Sequence, residues 1–105
     1  MKLLLVIVSK EDANEVEKHL NEENFFNTRL DTKGGFLKEN NSTFIIGLKE
    51  EKIDQALEIF KKYSKTRTKT ISSNIFDQIN LFSSSEVTVG GSVVFILDVE
   101  KFLKI

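Results

Sequence analysis

The residues of this chain best suited to chemistry fall between positions 26 and 48. Gly34 and Gly35 free the backbone for positive φ and for close approach to another group. Phe36 and Leu37 follow at once, where a turn is ordinarily polar. An apolar pair at a turn tip either plugs a neighbouring subunit or stacks on something flat and aromatic. Asn41 carries both a donor and an acceptor on one side chain, although taken singly it also suits a loop. Gly47 interrupts the otherwise apolar run Phe44-Ile45-Ile46-Gly47-Leu48. Glycine weakens a strand interior unless a ligand or a second backbone comes close. The Thr28 hydroxyl and the Gly47 backbone N–H are groups that receive anions. Such a set suits noncovalent binding of a flat ligand, while Gly34 and Gly35 taken alone fit an ordinary turn and Phe36 a subunit contact.

Catalysis finds little in the same sequence. His19 is the only histidine, lies between Lys18 and Leu20 on an expected helix, and reads as a surface residue. Ser72-Ser73 and Ser83-Ser84-Ser85 have neither a base nor a nucleophile-elbow context. Gly34-Gly35 is not followed by the Gly-Lys-Ser/Thr of a nucleoside-triphosphate loop. The absence of cysteine excludes disulfides and zinc-thiolate sites. A net charge of −1 argues against a nucleic-acid polymer. No metal and no cofactor are expected, and the chain reads as a non-enzyme.

The elements that must position these residues follow from periodicity. Leu3 to Val8 is a short, doubly apolar strand, too short to span a membrane, which points to a cytoplasmic protein. Ser9 reads as an N-cap, with Asp12 three residues on in a capping-box-like start. Ala13, Val16 and Leu20 then mark an amphipathic helix over 10–23. Phe25 to Thr32 and Ser42 to Leu48 read as strands joined by the glycine turn. Ile53, Ala56, Leu57 and Phe60 mark a second helix over about 50–65. Thr66 to Ile71 alternates like a strand, and Ile75, Ile79 and Phe82 fit either one helical face or a loop with apolar patches. Val87 to Val99 reads as one long strand with a bulge or kink at Gly90-Gly91. A terminal helical turn is expected over Glu100 to Leu103. The order β-α-β-β-α-β is the ferredoxin-like pattern, an α+β fold, in a single domain over residues 1–105. Two helices cover one sheet face, so the other face calls for a partner.

Gly34-Gly35-Phe36-Leu37, Asn41 and Gly47 together resemble the signature of the PII-like cyclic di-AMP receptors of Gram-positive bacteria. Met1-Lys2-Leu3, Asp12-Ala13-Asn14 and Val89-Gly90-Gly91 with Val94-Phe95 fit the same family, and the likeness lapses only between about Ser72 and Glu86. The resemblance implies a homotrimer with a cyclic dinucleotide in clefts between subunits. It implies a flexible loop at about 66–86 that reorganises with ligand and a downstream protein partner of unknown identity. It places Thr28, Gly35, Phe36, Leu37, Asn41 and Gly47 at ligand-contacting positions, with Phe95 close to the same cleft. Within it, Phe36 and Leu37 offer an adenine platform, and Asn41 can read the adenine edge. One position departs. The family usually has Arg two residues before the threonine, and here that residue is Phe26. A lost Arg–phosphate bond costs about 1.5–3 kcal/mol, roughly ten- to a hundredfold in affinity. Phe26 is expected to line the cleft against a base, with Lys104 from a neighbouring chain restoring the charge. Arg29 should face away from Thr28 by strand alternation. The alternative function is a PII-like interaction module for another adenine nucleotide or anion, or for no nucleotide.

Overall fold

The computed structural model describes residues 1–34, 40–71 and 85–105. Gly35, Phe36 and Leu37 lie outside the described residues, as does the stretch 72–84 of the expected loop.

The chain runs β1 (Lys2–Ser9), α1 (Lys10–Glu22), β2 (Thr28–Lys33), β3 (Asn40–Leu48), a 3-10 turn (Glu50–Lys52), α2 (Ile53–Tyr63), β4 (Arg67–Ile71), β5 (Ser85–Val89) and β6 (Ser92–Asp98). A four-stranded sheet has the order β2-β3-β1-β6, antiparallel throughout. This is the expected β-α-β-β-α-β architecture, with β4 and β5 paired as a separate two-stranded ribbon between α2 and the last strand.

Alternation divides each strand between two environments. Leu4, Val6 and Val8 of β1 meet Phe44, Ile46 and Leu48 of β3 beneath the helices, where all six are buried. Ala13, Val16 and Leu20 of α1 and Ala56, Ile59 and Phe60 of α2 close that core. Phe44 and Phe60 meet edge to face at 6.0 Å. The alternate residues Leu3, Leu5, Ile7, Ile45, Phe95 and Leu97 line the opposite face, which no element among the described residues covers.

α1 ends in a motif that fixes the entry to β2. Asn24 takes the left-handed conformation at φ 63°. Its N–H donates to the Asn21 carbonyl at 3.1 Å, and the Phe25 N–H donates to the Leu20 carbonyl at 2.9 Å. These are the paired bonds of a Schellman cap, and their apolar partners Phe25 and Leu20 both enter the core. With Phe25 turned inward, at 7% exposure, Phe26 is driven outward to 92%. The expected strand from Phe25 therefore begins later, at Thr28, because residues 24–27 serve the cap.

Four further expectations need correction. The strand Val87–Val99 is two strands in two sheets: Gly90 and Gly91, at φ 79° and 86°, end the ribbon and redirect the chain into β6. A bulge adds a residue within one ladder, whereas here the ladder itself changes. Ser9 makes no side-chain cap bond, and Asp12 is buried against Arg67 instead. His19 is half-buried, its ring stacked on Tyr63 at 3.7 Å between the helices. Residues 99–105 form no helical turn, and Phe102, Leu103 and Ile105 stand exposed.

Candidate ligand-binding site

Register locates the candidate residues on the open face. Thr28 pairs with Ile45, Ile45 with Leu5, and Leu5 with Phe95, so these four form one row across the sheet. Three interstrand spacings separate its ends by about 14 Å. Asn41 and Gly47 share that face but lie six residues apart on β3, about 20 Å. A single chain thus splits the set, with Phe26, Thr28 and Gly47 at one end, Asn41 at the other and Phe95 across the sheet.

The Gly47 end is a groove. Phe26, Thr28 and Gly47 line a cavity of about 420 Å³ with Leu3, Ile45 and Phe102. A Cβ built on Gly47 would approach only the Met1 Sδ, at 3.9 Å, so the glycine leaves open floor. Val99 donates its N–H to the Met1 carbonyl at 3.2 Å and so holds the C-terminal residues beside the groove. No residue lining this groove has a charged side chain. Across Phe26 a second groove of about 490 Å³ shares Met1, Phe26 and Gly47 and is lined by Lys49, Lys52 and Glu23. Sequence reasoning overlooked Phe102, Lys49 and Lys52. Phe102 was legible only as an apolar residue near the terminus, while the lysines follow Gly47 at a distance their numbering does display. Lys104 is exposed and lines neither groove.

The Asn41 end is polar and closed. Asn41 is 2% exposed. Thr32 donates its hydroxyl hydrogen to Asn41 Oδ1, and Asn41 Nδ2 reaches the Gly34 carbonyl at 3.4 Å. The side chain therefore braces the mouth of the β2–β3 connection. Arg29 faces the helices as alternation requires, donating to Asn14 at 2.8 Å and Glu17 at 2.7 Å.

A third cluster joins the body to the ribbon. Arg67 at the start of β4 donates to Asp12 Oδ1 at 2.8 Å and Oδ2 at 3.2 Å, a two-pronged pair. Asp12 and Glu11 hold the guanidinium firmly protonated, above its ordinary range. The Gly91 N–H donates to the Ser64 carbonyl beside them. Asp12 stands in the first turn after Ser9, and Ser9 is the register partner of Asn41. Among the described residues no group of His, Cys, Asp and Glu is placed to hold a metal, and no helix is long and apolar enough to cross a membrane.

The comparisons agree with this architecture. The crystal structure of a functionally unknown protein from Pediococcus pentosaceus ATCC 25745 is 36% identical, with 99% of this chain and 96% of that chain covered and a TM-score of 0.79. A family model described as cyclic-di-AMP receptor matches residues 1–105. The chain belongs to the cyclic-di-AMP receptor family.

Proposed function

We propose that this protein is a cytoplasmic, non-enzymatic signal receptor that binds cyclic di-AMP in clefts between the subunits of a homotrimer. The observation that carries the reading is the division of the candidate residues. Thr28 and Phe95 occupy opposite edges of one sheet, and Asn41 and Gly47 opposite ends of one strand. Residues that far apart converge on one small ligand only when a second copy brings its own edge alongside. The uncovered face of Leu3, Leu5, Ile45 and Leu97 supplies the apolar area for such an assembly.

In this reading Gly35, Phe36 and Leu37 serve one part of the ligand, and Asn41, buried with its amide engaged by Thr32 and Gly34, holds the connection that carries them rather than reading an adenine edge. Phe26, Thr28 and Gly47 serve another, with Phe95 and Lys104 reaching the cleft from the neighbouring chain. The signal is relayed to the 66–86 segment and on to a protein partner. Asn41 is the register partner of Ser9, and Asp12, three residues further on in α1, holds Arg67 at the base of the ribbon, a proximity that supports such a relay.

One feature favours a second reading. The groove at Gly47 has no charged side chain where the family usually places Arg, so another adenine nucleotide bound through its base, or no nucleotide, is the alternative. Calorimetric titration of cyclic di-AMP, ATP and AMP into the purified protein, with its mass measured by light scattering, separates the two. Saturable binding of cyclic di-AMP to a trimer supports the first. A monomer at micromolar concentration, or preference for a mononucleotide, contradicts it.

A further inference from the structure

Phe102 has no assigned role, and its surroundings are unusual for a residue near a chain end. It is 67% exposed, yet it borders the same groove as Phe26, itself 92% exposed. Two phenylalanines left in water are costly unless something covers them, since each exposes an aromatic ring that burial would stabilise. The floor between them is Gly47, where a side chain would fill open space. The volume of about 420 Å³ lies within the range of small-molecule sites. The lining offers only Asn27 and Thr28 as polar side chains and carries no charged one. A site of this composition suits a flat, uncharged heterocycle better than a phosphate, for which it offers the Thr28 hydroxyl and the Gly47 backbone N–H but no charged side chain.

We propose that Phe102 is a ligand-contacting residue: its ring and that of Phe26 hold one adenine base over Gly47. The groove thereby recognises the base and not the phosphate. This rests on the cyclic di-AMP reading and sharpens it, because it makes Phe26 part of an aromatic pair where a cation would otherwise contact phosphate. The phosphate is directed across Phe26 toward the groove that Lys49 and Lys52 line.

The test titrates two probes, cyclic di-AMP and adenosine, into the full chain and its Phe102→Ala and Phe102→Tyr variants at low and high salt. Light scattering and melting temperature are recorded on each. Loss of a base–aromatic stack predicts a Kd for cyclic di-AMP raised by about five- to a hundredfold in Phe102→Ala and largely restored in Phe102→Tyr. Adenosine, having no phosphate, should lose affinity in parallel and show no salt dependence. Cyclic di-AMP binding undiminished in Phe102→Ala overturns the groove assignment while leaving the receptor reading intact. A drop in assembly mass in that variant overturns it too, by making Phe102 a subunit contact. Adenosine binding lost with Phe102→Ala, in a wild type indifferent to cyclic di-AMP, upholds the groove and refutes the receptor reading.

Discussion

Gly47 and Gly90 sit in strand-rich surroundings and serve opposite ends. Around Gly90 the protein itself takes up the space: a Cβ there would come within 2.7 Å of the Lys65 carbonyl and 3.2 Å of Asp12, at a φ of +79°. Around Gly47 the space is empty, and φ raises no objection to a side chain. Gly90 is required by the fold, whereas Gly47 is tolerated by a fold that would be better served by a β-branched residue in that strand. A position that forgoes strand stability while leaving an open floor points outward, to something the isolated chain does not contain.

The contrast can be broken first at Gly90. Gly90→Ala forces a side chain into a left-handed conformation and against backbone, a strain on the order of 1–3 kcal/mol. Chemical denaturation should show that loss, or amide exchange should show the base of the ribbon opened. A variant indistinguishable from wild type in both would remove the structural role given to this glycine. Arg67→Met comes next. It strands the nearly buried Asp12 carboxylate without its partner, at about 1–3 kcal/mol. The partial exposure of Arg67 keeps the loss below that of a fully buried pair. Faster amide exchange over Arg67–Ile71 with unchanged exchange in β1 would place the effect at the ribbon, whereas uniform acceleration would argue against a local clamp.

The smallest effect belongs to the edge of the sheet. Lys2 pairs with Asp98, and its hydrogen bond and charge hold the Asp98 carboxyl below the usual carboxylate range. That contribution is present above the ordinary carboxylate value and fades as pH falls through the depressed one. Asp98→Asn should therefore flatten the acid limb of melting temperature against pH, by little, since surface pairs contribute little. An acid limb as steep in the variant as in wild type would show that the pair adds nothing.

The fold was readable where one period dominated. Leu4, Val6 and Val8, then Ala13, Val16 and Leu20, announce a strand and a helix packed together, and they do pack. Reading failed where a local conformational device overrode the pattern. The Asn24 cap delayed β2, and Gly90-Gly91 looked like a kink because both flanking segments are β-rich, although their partners differ. Asp12 looked like a capping residue because its partner Arg67 is 55 residues away. For the site, Phe26, Thr28 and Gly47 do share one groove. Their separation from Asn41 and Phe95 depends on strand register, which no spacing within one segment reveals.

The central claim is that the open floor at Gly47 exists for a ligand, and filling it is the direct test. Gly47→Val should fold with an equal or higher melting temperature, because valine favours a strand and meets no close neighbour. Calorimetry with cyclic di-AMP should show saturable binding by wild type and binding weakened more than about tenfold by the variant, a loss above roughly 1.4 kcal/mol. Wild-type affinity in a well-folded Gly47→Val protein would contradict the account.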